Sequence, residues 1–233
     1  SSVHYSGRES KKILEHARSN IANLINCEEN NIIFTSGATE ANNLALNGFE
    51  KKIISSVEHE SIRNQEDVII IDVDKYGYID LEMLNNVLGS IKNKNHSIVS
   101  VMFANNETGI IQPIDKVKAI AKKYGIIFHS DAVQAAGRIE IDFNSLGLDM
   151  MTLSSHKIGG PVGAGALVLS SKKNIKPLFN GGQQEDSLRS GTEPLLCIAG
   201  FGEAARSINV DKMKDVKKLR EDLESKLKKL NLG

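Results

Sequence analysis

Lys157 closes an apolar run at 150–153 extended by Ser154, Ser155 and His156, and Gly159, Gly160, Pro161, Gly163 and Gly165 follow it within eight residues. Glycine at that density lets backbone approach a bulky ligand closely, at an entropic cost that a plain connection has no need of. A lysine whose amine loses its proton can form a Schiff base with a carbonyl. Ser36-Gly37-Ala38-Thr39-Glu40 follows another apolar run, 32–34, and opens a helix. Backbone N–H groups at such a turn, backed by the helix dipole, suit a phosphate, and the Thr39 hydroxyl can add a bond. Glu40 in that first turn complements the dipole. A third group is Phe128-His129-Ser130-Asp131-Ala132-Val133-Gln134, where an apolar run ends in an acid able to pair with a protonated ring nitrogen. Asn105-Asn106-Glu107-Thr108-Gly109 ends a fourth run, 99–104. Singly, each has a plainer reading: an exposed lysine beside a flexible loop, an ordinary turn, an aspartate capping the next segment, a polar turn.

The elements that must position these groups are visible as periodicities. Seven short apolar runs, at 32–34, 53–54, 68–73, 98–103, 126–128, 150–153 and 166–169, predict strands, several of them apolar enough to be buried on both faces. Helical spacing predicts helices at 6–25, 40–46, 81–88 and 117–124, the last closed by Gly125. Their alternation predicts an α/β domain with a mostly parallel sheet, which presents ligands at its strand ends. A phosphate cradle, a carboxylate and a lysine at such ends are the three groups that hold pyridoxal 5'-phosphate (PLP). Segment 211–230 is charged, with Met213, Val216, Leu219, Leu223, Leu227 and Leu230 on one face. It predicts a long amphipathic helix, either packed on its own domain or leading to another.

Composition bounds the partners. Among 233 residues, 40% are hydrophobic and 25% charged, the balance of a globular protein. Lys plus Arg equals Asp plus Glu at 29 each, so the basic excess expected of a nucleic-acid or anionic-membrane partner is missing. Cys27 and Cys197 form no CxxC pair and have no metal-ligand spacing, so neither disulfide framework nor metal site is expected, and the expected compartment is the cytoplasm. No apolar run approaches the roughly 20 residues of a membrane span. Ser1 to His4 do not read as a signal peptide, and with no starting Met an earlier segment is expected. No GxGxxG or Walker motif supports a nucleotide-binding domain.

Longer blocks match a known family in order: His4-x-x-Gly7-Arg8, then Phe34-Thr35-Ser36-Gly37-Ala38-Thr39-Glu40 with Asn43-Leu44-Ala45, then Glu58-His59. Asn105-Asn106-Glu107-x-Gly109, Gln112-Pro113-Ile114, His129-x-Asp131-Ala132-x-Gln134, Ser154-x-His156-Lys157-x-x-Gly160-Pro161-x-Gly163-x-Gly165 and Arg189-Ser190-Gly191-Thr192 continue the series. In these the sequence resembles the cysteine desulfurases, the NifS/IscS-like branch of the class-V aminotransferase family of fold type I PLP enzymes.

The resemblance implies a three-layer αβα large domain with a mostly parallel seven-stranded sheet over 1–209, and a connecting helix at 210–233 toward a C-terminal small domain. It implies that Lys157 holds PLP as a Schiff base, Asp131 pairs with the ring nitrogen, and Gln134 bonds the phenolic oxygen. His59 stacks on the ring and moves protons; Ala38, Thr39, Ser154 and His156 bind phosphate. Asn106 lies near the phenolic oxygen and the substrate carboxylate. Thr192 reaches the cofactor phosphate of the other subunit, which implies a homodimer. The implied reaction turns L-cysteine into L-alanine and leaves a persulfide for a sulfur-acceptor or scaffold protein, as in iron–sulfur cluster assembly. The attacking cysteine and the arginine for the substrate carboxylate are expected beyond residue 233, and Cys27 and Cys197 as packed thiols. Gly181-Gly182-Gln183 and Asp186-Ser187 depart from the family pattern, and the chain is shorter after Gly48 and after His59. Another lyase or aminotransferase of this fold, or a non-catalytic cofactor-binding fragment, are the alternative readings.

Overall fold

The structure is a computed structural model that describes residues 5–172 and 175–230; His4 of the first motif and 231–233 of the last segment lie outside the described residues. The chain runs α1 (Tyr5–Ile25), β1 (Ile32–Thr35), α2 (Ala38–Leu46), β2 (Lys51–Ser55), α3 (Glu60–Arg63), β3 (Val68–Ile71), α4 (Leu81–Ser90) and β4 (Ser97–Ser100). It continues through α5 (Ile114–Tyr124), β5 (Ile127–Asp131), α6 (Phe143–Leu146), β6 (Met150–Ser154), β7 (Gly165–Leu169), α7 (Leu195–Ser207) and α8 (Met213–Lys229).

The strands form one seven-stranded sheet in the order β1-β7-β6-β5-β4-β2-β3. It is mostly parallel, with β7 antiparallel to both of its neighbours. Every residue of β1, β4, β6 and β7 is buried, as expected of strands covered on both faces. Alternate side chains feed two separate cores. Ile53, Val99, Phe128, Met151 and Val168 join residues of α1, α4, α5 and α7 on one face. Ile54, Ile98, Met150 and Leu167 pack with α2 and α3 on the other. Helices therefore cover both faces, giving the three layers the resemblance implies.

The differences from expectation have physical reasons. Segment 195–207 carries no clear polar face, so no helix is predicted there, yet α7 forms and packs against α1. Gly202 permits the crossing, since a Cβ at that position would lie 2.4 Å from the Cα of Ala17. β4 ends at Ser100 instead of 103, and the chain beyond it still bonds to β5, through Val101 N–H to His129 O (3.1 Å) and Phe103 N–H to Asp131 O (2.8 Å). β3 stops at Ile71, and Val73 instead pairs singly with Ile79. α8 is helical as expected, but none of its residues is buried and its row from Val216 to Leu227 is exposed.

Edge strand β1 is covered by a strap. In it Glu185, Asp186 and Ser187 adopt left-handed backbone (φ 45, 56 and 63°). The buried Glu185 carboxylate accepts from Phe34 N–H at 2.8 Å and takes both Arg18 Nη atoms at 2.8 and 3.0 Å. Arg18 also donates to Ile32 O at 2.6 Å and lies 4.6 Å from the centre of the Phe34 ring. Backbone groups that an edge would leave open are thereby satisfied. Breaking one partner of a buried pair leaves an uncompensated charge, so Glu185→Ala is expected to cost about 3 kcal/mol. A urea melt checks this, and an unchanged midpoint would speak against the strap as an edge lock.

Candidate active site

On the α2 side, the sheet changes character toward the C-terminal ends of its parallel strands. Ser100, His129, Asp131, Thr152 and Ser154 replace the apolar residues there, and all are buried. His129 bridges Ser100 Oγ at 2.8 Å and Thr152 Oγ1 at 2.9 Å. Burial pushes its pKa down to about 3, so the ring is a neutral strut across three strands.

Above this floor lies a cleft of about 480 Å³ lined by Ala38, Thr39, His59, Asn106, Asp131, Gln134, Ser154, His156 and Lys157, together with Ser36, Gly37, Glu40, Met102, Val133, Val162 and Gly163. Of the residues to which the resemblance gives a cofactor-binding or catalytic role, Thr192 alone does not line it; it is exposed beyond the strap.

The N-terminus of α2 forms one wall. Gly37 is extended (φ 160°, ψ 178°), no side chain caps the helix, and α2 starts at Ala38 instead of 40. Gly165 of β7 makes room for this turn, because a Cβ there would sit 2.6 Å from the Gly37 carbonyl carbon. Glu40 does more than complement the dipole: it accepts from Ser36 N–H at 2.8 Å and from Arg189 Nε at 2.9 Å. Burial disfavours its charge, but the bonds from Arg189 and Ser36 outweigh this and hold the carboxyl below its usual range.

Lys157 stands opposite, in the short turn Ser155–Ile158 that follows β6 and ends at left-handed Gly159 (φ 89°). Its carbonyl accepts from Arg138 Nη2 at 3.2 Å, while its side chain lines the cleft. Asn105 Oδ1 shapes the neighbouring turn by accepting from Glu107 N–H (2.9 Å) and Thr108 N–H (2.8 Å), which presents Asn106.

Asp131 ends β5 at the cleft floor. Its Oδ1 accepts from Val133 N–H at 3.0 Å, so the plain capping role is real, and its Oδ2 accepts from Asn42 Nδ2 at 2.8 Å. Burial nevertheless raises its pKa, opposed by Asn42, Val133 and the nearby His59. A cation in the cleft would offset that burial cost.

Two residues given no individual role from sequence belong to this environment. Asn42 is fully buried on α2 between Ala41 and Leu44, and an amide interrupting that apolar face is the signal that marks it. Glu58 is also buried: Oε1 accepts from Met102 N–H at 2.6 Å and Oε2 has no partner. Burial drives its pKa well up; the Met102 bond opposes this and the charge of Asp131 adds to it.

An amine, a buried carboxylate, an imidazole and an uncapped helix N-terminus thus converge at the strand ends of an open α/β sheet, where this class of fold holds small molecules. Residues 1–231 match the aminotransferase class-V family, and the chain belongs to that family. It is 38% identical to the cysteine desulfurase IscS of Dictyoglomus turgidum across 95% of this chain, and it spans 59% of that relative's length. A NifS-like protein from Rickettsia africae superposes with a TM-score of 0.92 at 43% identity, over 98% of this chain and 67% of that one. SspA in complex with cysteine matches at 32% identity and a TM-score of 0.82, over 89% and 64% of the two chains.

The raised pKa of Glu58 fixes a sign. A carboxyl whose folded pKa exceeds its unfolded value contributes stability at low pH that is lost as pH rises through the folded value. Glu58→Gln keeps an acceptor for Met102 and removes that loss. Melting curves from about pH 5 to about pH 9 are expected to show the variant falling less than wild type and being the more stable at the alkaline end. Parallel curves would mean that Glu58 does not titrate against the fold.

Proposed function

We propose that this chain is the cofactor-binding part of a PLP-dependent cysteine desulfurase, which takes sulfur from L-cysteine and leaves L-alanine. The observation that carries the reading is the meeting of Lys157, Asp131 and the α2 N-terminus around one cleft in a chain whose relatives are cysteine desulfurases.

The residues fit the cofactor. The first turn of α2 has no side-chain cap, which suits a phosphate, with Ala38, Thr39, Ser154 and His156 as its holders. Asp131 is a buried carboxylate that gains from a protonated ring nitrogen. Gln134 and Asn106 serve the phenolic oxygen, and His59 the ring face. Bound PLP supplies an electron sink for chemistry at the substrate Cα.

The protein's own part is electrostatic and protonic. The Lys157 amine holds the cofactor, then carries the proton at Cα, and His59 exchanges protons beside it. Asp131 keeps the ring nitrogen protonated while negative charge develops, a preorganised interaction that favours the reaction over mere binding.

Neither cysteine suits the attack on sulfur. Neither lines the cleft, and the Cys27 thiol is pushed up to about 12 by burial, with Glu28 adding to it. In this reading the nucleophile comes from a C-terminal domain that follows 1–209 and is reached through 210–233. The exposed apolar row of α8 supports that connection. A homodimer, with Thr192 serving the partner's cofactor, a sulfur-acceptor or scaffold protein as recipient, and a cytoplasmic setting complete the proposal.

The test is borohydride reduction after incubation with PLP, read by absorbance and by peptide mapping. Wild type is expected to turn yellow with PLP, to lose that band on reduction and to keep a permanent label on Lys157, and Lys157→Ala to show neither band nor label. A folded wild-type protein labelled elsewhere, or not at all, would reject the site.

A further inference from the structure

α3 begins with a histidine as its N-cap: His59 Nδ1 accepts from Ser61 N–H at 3.1 Å. That nitrogen therefore bears no proton, and the neutral ring carries its proton on Nε2. Ser61 Oγ lies 2.9 Å from the same Nδ1, so its hydroxyl must donate to the ring. As an acceptor, Ser61 Oγ receives Asn42 Nδ2 at 2.9 Å. The second hydrogen of that amide goes to Asp131 Oδ2 at 2.8 Å. The orientation of Asn42 is not arbitrary. Turning the amide over would set its oxygen against the carboxylate, and as it stands Oδ1 is the atom left without a partner.

We infer that Asn42 and Ser61 are positioning residues that join Asp131 to His59 in one hydrogen-bonded chain, Asn42 holding the carboxylate and Ser61 fixing the Nε2-protonated tautomer of His59. Donation runs outward from Asn42 in both directions, so each end receives a hydrogen bond at an acceptor. The nitrogen of His59 not engaged by Ser61, Nε2, is the one left to exchange a proton. α2 thus carries both the turn proposed to grip phosphate and, one helical turn later, the amide that sets Asp131. The chemical consequence rests on the PLP reading of the cleft; the hydrogen-bond chain itself does not.

Nitrogen-15 NMR of the imidazole in the cofactor-free protein tests it, because the two ring shifts report the tautomer. Wild type is expected to be mainly Nε2-protonated. Ser61→Ala keeps the backbone donor but loses the hydroxyl, and the tautomer ratio is expected to fall about fivefold, the equilibrium worth of one hydrogen bond. Ser61→Thr is expected to restore it. The side-chain amide signal of Asn42 is expected to move in Ser61→Ala and return in Ser61→Thr. An unchanged tautomer ratio, a mainly Nδ1-protonated wild type, or an Asn42 amide that ignores Ser61 would overturn the inference. No cofactor enters this measurement, so its failure is distinct from a failure of Lys157 labelling.

Discussion

A carboxylate taken out of water at the end of a buried strand must be compensated, and Asp131 is the place where this fold accepts that cost. Its two bonds, from Val133 within its own turn and from Asn42 on α2, cover only part of its acceptor capacity. The remaining demand points to the cleft. Everything around it follows: hydroxyls and a neutral imidazole replace aliphatic side chains beneath it, and a helix must lie close enough to present an amide.

The first turn of the same helix is fixed by charge. Glu40 in its first turn is tied to Arg189, and Glu185 four residues earlier is tied to Arg18 and to edge strand β1. The strap therefore clamps α1, β1 and α2 together, and Gly165 allows the turn before α2 to settle against β7. Small departures in backbone at 185–187 are tolerable because these two ion pairs over-determine the position. Precision at the cleft thus derives in part from ion pairs anchored outside it, at Arg18, Glu185 and Arg189.

Much of this was legible in the residues. Continuous apolar runs marked strands buried on both faces, and glycines and acids at their ends marked the cleft, because strand burial and ligand approach both restrict residue type locally. What stayed hidden depends on partners distant in sequence. The antiparallel placement of β7 leaves no trace in its own composition. α7 is apolar on too many sides to show a helical period, and its fit against α1 turns on one glycine. Asn42 and Glu58 are polar residues whose meaning lies in what they touch across the core, Asp131 in one case and Met102 in the other.

The claim that one helix and one strand end bracket a single ligand is tested most directly by a crystal structure of the protein grown with PLP. The phosphate is expected at the N–H groups of Ala38 and Thr39, the ring nitrogen at Asp131, and the aldehyde carbon on Lys157. A phosphate bound away from α2, or a ring nitrogen facing any group other than Asp131, would contradict it.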